Sequence, residues 1–545
     1  MNTVPYICLL PLLTAIALVF VPRSFKVVIR ALALLATFVT MLLAVRMFWL
    51  FSDTLPDDTG YRFVCTIPWL GAESLGIACR LGVDGLNVGL VLMGAIVAFA
   101  AVCCAFEITE REKEFYILLL VMAGGILGAF MSLDLFFFYF FHELALVPTF
   151  IMIGVWGRGE RKNYATFQIT LYLSIGALLA LLGLIALYLQ VPAGMRTFDI
   201  PTLTKYFQQN QMPTGAQDFI FPLLLFGFGI LVSLWPFHSW APLGYGSAPS
   251  PTAMLHAGVL KKFGLYGLIR IALPLMPQAT QGWMHILAWL CLGNILYVGW
   301  VAMRQRDLNL LIGNSSVAHM GMIFLGIATL NIIGVTGAVV IMVAHGFLAA
   351  LFFGLTGYIY QQTGTLEMSK LGGLAKKLRF IGVALTMAAL AGCGLPGFAN
   401  FIGEVTVFFG AWNEPALRVV TVLAVWGALI IGAVYMLRMV RAVMHGPLQV
   451  GQTCPTSPTS PTSPTSPTNL TDAGAWRKVP HVLLLASLLL FGFLPHLLID
   501  KIKPVTEQVV TAARVGPKPA SALEPVQSLL CGSPDRLAVI SETAK

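Results

Sequence analysis

Residues 308–360 read LNLLIGNSSVAHMGMIFLGIATLNIIGVTGAVVIMVAHGFLAALFFGLTGYIY, two apolar runs divided near Asn331, with His319 inside one and His345 inside the other. A bilayer core takes roughly 20 apolar residues per helix, so 308–329 and 332–360 each read as a membrane span. The rest of the chain repeats the pattern. Of the 545 residues 58% are hydrophobic and 10% charged, and the mean hydropathy is +0.84. Soluble chains carry about 25% charged residues, so most of this surface cannot face water. The sequence predicts an all-α membrane protein of about fourteen spans. They cover 4–22, 28–51, 84–106, 114–131, 133–156, 165–190, 218–238, 253–275, 282–302, 308–329, 332–360, 380–411, 416–442 and 479–500.

The net charge of +9 does not point to nucleic acid, because the basic residues sit in short loops between apolar runs. Arg23, Lys26 and Arg30, then Arg158, Arg161 and Lys162, then Arg304 and Arg306 fall in alternate loops, as do Lys370, Lys376, Lys377, Arg379, Arg438, Arg441, Arg477 and Lys478. Asp53, Asp57, Asp58 and Glu73 occupy an intervening one. Positive charge marks the cytoplasmic side, which places both termini outside. The first apolar run lacks a basic leader and a small-residue cleavage site, so it reads as a retained span. Nine cysteines form no CxxC pair; Cys65 and Cys79 share one outer loop, where a disulfide and two free thiols both fit.

Two spans are interrupted. The seventh breaks at Pro236 and runs through Trp240-Ala241-Pro242 into a Gly/Ser/Pro stretch, and the twelfth contains Gly394-Leu395-Pro396-Gly397. Proline removes a backbone donor and glycine weakens a helix. Unwound backbone at membrane depth survives only beside protein or a water-filled cavity, and paired broken helices characterise inverted-repeat transport folds. A plain proline kink is the simpler alternative. Residues 1–83 then hold two helices and an outer loop, 84–445 the core, 446–475 a Pro/Thr/Ser linker expected to lack a fold, 476–502 the last span, and 503–545 a polar tail.

The rare charges are the sharpest signal. A carboxylate or ammonium at mid-helix costs about 2.5–3.5 kcal/mol on insertion scales. Glu143 lies in the middle of span five, Lys261 and Lys262 in span eight, and Glu404 just after the break in span twelve. With His319 and His345, and with His142, His238 and His256 near the other break, they supply acid, base and relay groups along a bundle. The alternatives are a buried ion pair fixing register for the two glutamates and packing roles for the histidines.

At this point the residues resemble a known family. Gly82-Val83-Asp84-Gly85-Leu86, His142-Glu143-Leu144-Ala145-Leu146-Val147-Pro148, Pro236-Phe237-His238-Ser239-Trp240, Ser315-Ser316-Val317-Ala318-His319-Met320-Gly321, Ala344-His345-Gly346 and Gly394 through Glu404 occur in the order found in the antiporter-like membrane subunits of complex I (NADH-quinone oxidoreductase). The match runs from about Leu81 to Met444, and glutamate at 404, where relatives generally carry lysine, resembles the subunit M (chain 4) family. The resemblance implies proton translocation through Glu143, Lys262, His319, His345 and Glu404, with flavin, iron–sulfur clusters and quinone held by partner subunits, none in this chain, and a bacterial inner-membrane location. It also implies a span-seven lysine beside Glu143. Leu231 stands at that position, and Asn309 stands where relatives often have lysine. Lys261, His142, His238 and His256 are the nearby substitutes. An Mrp-type cation/proton antiporter subunit, a hydrogenase-linked or carbon-dioxide-hydrating complex, and a non-conducting scaffold are the competing readings.

Overall fold

The computed structural model describes residues 3–68, 76–448 and 470–515. In hydrocarbon a backbone must satisfy its own polar groups, which leaves helices as the building unit. In the first part of the chain these are α1 (Val4–Phe20), α2 (Lys26–Leu50), α3 (Val88–Cys104), α4 (Glu112–Met131), α5 (Leu135–Trp156), α6 (Lys162–Leu189), the amphipathic α7 (Ile200–Gln209) and α8 (Thr214–Val232). Next come α9 (Trp240–Ser247), α10 (Ser250–Leu255), α11 (Lys262–Gly267), α12 (Leu273–Leu275), α13 (Pro277–Leu292), α14 (Gly299–Arg304), α15 (Leu308–Ala328) and α16 (Ile332–Thr363). The last are α17 (Arg379–Gly392), α18 (Ala399–Trp412), α19 (Arg418–Trp426), α20 (Gly432–Met444), α21 (Ala475–Phe493) and α22 (His496–Val515). Polar caps set several starts: Asp134 accepts from the amides of Phe136 and Phe137, Asp307 from Leu310, and Asn331 from Gly334.

Eleven stretches among the described residues are long and apolar enough to cross a membrane. The remaining three expected spans fall on shorter helices: the 17-residue α1, the α10–α12 run, and the α17–α18 pair. α16 is buried all round and α3 and α15 nearly so, while α2, α6 and α21 present broad apolar faces outward.

Both expected breaks are present. α8 stops at Ser233, which takes a left-handed conformation (φ 72°). The groups released there find partners within the protein. Asn294 accepts from the Trp235 amide (2.8 Å) and donates to the carbonyls of Ser233 (2.9 Å) and Val317 (3.1 Å), and the Trp240 indole donates to Ile230 O (3.0 Å). Beyond it the α10–α12 run is loosened by two π-helical turns, His256–Leu260 and Leu268–Ala272. In the second break Gly394 and Gly397 have φ of +68° and +101°. A Cβ on Gly394 would collide with the Glu404 carboxylate, so that position requires glycine twice over.

The expected outer loop carries a sheet: β1 (Arg62–Pro68) and β2 (Ala78–Val83) form an antiparallel hairpin, as β-rich sequence on the wet side allows. Within it Cys65 faces Leu81 and Cys79 faces Ile67, and both thiols are free. The last span ends at Phe493 rather than 502, and residues 496–515 fold as α22, so the polar tail is helical at its start. Ile502, Thr506, Val509, Val510 and Ala513 make one buried face there, a helical periodicity too polar for a span. α22 lies on the hairpin side: Lys501 donates to Ser52 (2.8 Å), Thr506 bonds Thr336 (2.9 Å) and Arg514 donates to Leu330 O (2.6 Å). The Pro-Thr-Ser repeat and residues 516–545 lie outside the described residues.

Candidate functional site

Lys262 opens α11 and is completely buried. Its ammonium donates to Ala257 O (2.7 Å) and sits 2.9 Å from His345 Nδ1 on α16. A charged lysine has no acceptor capacity, so His345 accepts there, and a proton can move between the two nitrogens without either side chain leaving its place. The His345 ring faces that of His319 on α15, centroids 5.4 Å apart. His319 Nδ1 lies 2.8 Å from Ser315 O. A carbonyl only accepts, so Nδ1 carries hydrogen and the exchangeable proton of this imidazole is the one at Nε2. Nε2 points at Glu404 Oε1, 3.7 Å away. Glu404 is buried, and a cavity of about 20 Å³ bordered by His319, Glu404, Gly392 and Tyr435 adjoins the pair. That is room for about one water. Asn400, one turn before Glu404, is wholly buried with neither amide atom partnered within the protein.

Lys261, Lys262, His345, His319 and Glu404 thus gather in one interior region, as the sequence suggests. Lys261 leaves the helix in another direction, toward Ser316 Oγ (3.5 Å) and the face of Tyr245 (5.6 Å). His256 stacks on Trp240 (5.6 Å) and meets the edge of Tyr245 (5.4 Å).

The Glu143 end is built differently. His142 is buried and stacked on Phe263 (4.0 Å), with Nδ1 3.5 Å from Glu143 Oε1. Glu143 itself is one-third exposed, on the face of α5 that carries the exposed Phe136, Phe140, Val147 and Ile151. His142 is its ion-pair partner among the described residues. Leu231 is buried in the last turn of α8 and brings no cation to it. His238 sits half-buried in the first break beside Tyr297 (5.9 Å), off the axis, and Asn309 is buried with its Oδ1 unpartnered.

Sequence reasoning missed a second buried charge group. Arg270 donates to Asp84 (2.6 Å) and bonds the hydroxyls of Tyr61 (3.1 Å) and Tyr266 (3.2 Å) beneath the hairpin. Asp84 at the mouth of span three was the available signal. Asn294 and Asn400, neutral residues in apolar runs, carried none beyond their polarity.

The sequence profile described as "NADH:quinone oxidoreductase/Mrp antiporter, TM" matches residues 132–431, which contain every group of this axis. The chain belongs to that family. It is 31% identical over 552 residues to NAD(P)H-quinone oxidoreductase chain 4 1 of Synechococcus elongatus, covering 99% of this chain and 97% of that one. It is 33% identical over 392 residues to NADH-quinone oxidoreductase subunit M of Rickettsia bellii, covering 71% and 76%. A chain of the respiratory complex I of Thermus thermophilus superposes with a TM-score of 0.80 at 26% identity, over 94% of this chain and 99% of the other. Within the family this chain is an antiporter-like, multi-pass membrane subunit of the chain 4/subunit M type.

Proposed function

We propose that the chain is the subunit M-type proton-translocating subunit of an NADH:quinone oxidoreductase, and that protons cross it through Lys262, His345, His319 and Glu404. The observation that carries this reading is the succession of neighbouring groups (a 2.9 Å contact, then two imidazoles tilted at 49° with centroids 5.4 Å apart, then 3.7 Å) through an otherwise apolar bundle. Lys262 and His345 exchange a proton across their 2.9 Å contact, and His319, whose ring lies beside that of His345, binds or releases one at the nitrogen facing Glu404. Gly394 in the second break leaves the Glu404 carboxylate the space that a side chain would fill, and the adjoining cavity admits the water that carries the proton onward. Moving one charge against a membrane potential costs about 2.3 kcal/mol per 100 mV, so the energy comes from redox chemistry elsewhere in the assembly. Flavin, iron–sulfur clusters and quinone belong to partner subunits in this reading.

The partners also account for Glu143. A carboxylate on an apolar outer face is costly in lipid, and a neighbouring antiporter-like subunit packed on α5 removes that cost. The membrane is a bacterial inner membrane. The basic loops face the cytoplasm; both termini, the hairpin and α22 lie outside. Measuring proton uptake per electron in native membrane vesicles bearing Glu404→Gln tests the path. The expected result is normal assembly with this chain's share of translocation lost. Wild-type stoichiometry would make the chain a scaffold instead.

A further inference from the structure

Lys262 accounts for one of two neighbouring buried lysines. Lys261 is 2% exposed, yet its ammonium, with three hydrogens to place, has one long contact with Ser316 Oγ (3.5 Å) and the face of Tyr245. Beside it and in the helical turns that lead to it are groups with fewer partners still. The Tyr245 hydroxyl, His256 Nδ1 and Thr252 Oγ1 are all buried without a protein partner. Thr252 is one turn before His256, and the π-turn His256–Leu260, in which the Lys261 amide bonds His256 O (3.0 Å), carries the chain from these residues to the two lysines. π-turns inside α-helices are frequent at functional sites. Three buried polar groups without a protein partner, along the helix run and the ring that lead to an ammonium with one long contact, are the surroundings that ordered water occupies, each molecule satisfying two to four polar atoms.

We infer that Lys261, with His256 and Tyr245, forms a second, hydrated proton-carrying station that loads Lys262 from the Glu143 side. The reading rests on the proposed conduction through Lys262. A proton held by His142 passes through water to the free lone pair of His256 and from there to the neutral amine of Lys261. Lys261 gives its own proton through the same water to Lys262 as that amine is emptied toward His345. Each transfer moves one proton, and the set returns to its starting state once His142 takes a proton from Glu143 beside it. The two lysines divide the work because neighbouring residues of a helix point roughly 100° apart: one serves α16, the other α9 and α15. The station also bridges the aromatic wall of Phe263, which otherwise separates His142 from the interior.

The test compares native membrane vesicles carrying the assembled complex with Lys261→Met, Lys261→Arg, Tyr245→Phe and Glu404→Gln, reading assembly, electron transfer and proton uptake per electron. Lys261→Met is expected to lose as much translocation as Glu404→Gln. Lys261→Arg, whose charge does not leave, loses as much while keeping the fold, and Tyr245→Phe loses part. If Lys261→Met fails to assemble, the Lys261→Arg result decides. Lys261 variants that translocate like wild type beside an inactive Glu404→Gln overturn the inference and leave the path intact. If Glu404→Gln is also like wild type, the path itself falls.

Discussion

The two ends of the polar axis solve the same problem differently. At the Glu404 end the protein supplies everything: a buried carboxylate, an imidazole with its tautomer fixed by Ser315 O, a second imidazole and a hydrogen-bonded lysine. At the Glu143 end the carboxylate is partly exposed, its neighbour is a histidine, and stacked aromatics (Phe138 on Phe263 at 4.2 Å, His142 on Phe263 at 4.0 Å) stand between it and the lysines. One half is complete within the chain. The other, in the proposed reading, depends on what packs against α5 and on water around Lys261. On the proposed path, a subunit built this way passes protons only inside its assembly.

The most damaging change to that contrast is Lys262→Met. It removes the carrier at the junction of both halves and leaves Ala257 O and His345 Nδ1 without their donor. This chain's translocation should vanish, with a stability cost of about 1–3 kcal/mol per orphaned group, read as proton uptake per electron and as thermal stability of the purified complex. His319→Gln comes next. Glutamine bonds but does not titrate, so the rate through Glu404 should fall by about 10²-fold or more, the usual worth of a positioned acid–base group. A full rate in that variant would mean water alone bridges His345 and Glu404.

Much of this was legible in the sequence because the membrane penalises charge. Lys262, Glu404 and Glu143 stood out as ionisable residues in apolar runs, and both breaks were marked by proline and glycine. The hairpin and α22 were less legible because outside hydrocarbon the rule of apolar length no longer applies. An amphipathic helix such as 496–515 resembles a polar tail until its buried face is identified. The exposure of Glu143 was hidden for another reason: position along a helix gives depth, while orientation depends on which helices pack around it.

A smaller effect separates the scaffold of the breaks from the axis. Asn294→Leu strips three hydrogen bonds from the backbone at Ser233, Trp235 and Val317. The expected loss is about 1–3 kcal/mol of stability for each backbone group left unpaired, with translocation reduced only as far as the broken helix shifts. Loss of translocation at unchanged thermal stability would place Asn294 on the axis and erase the distinction.

The smallest expected effect tests whether α22 is tied to the axis at all. Arg514 pairs with Glu414 and donates to Leu330 O, linking the end of α22 to the loops after α15 and α18. Both side chains are partly exposed, and exposed ion pairs contribute about 0–1 kcal/mol. Arg514→Ala should therefore lower thermal stability slightly and leave proton uptake per electron unchanged, because Thr506 and Lys501 still hold the helix to α16 and to Ser52. If translocation falls instead, α22 transmits force to the helices bearing His319, His345 and Glu404, and the Glu404 half is less self-contained than its internal contacts indicate.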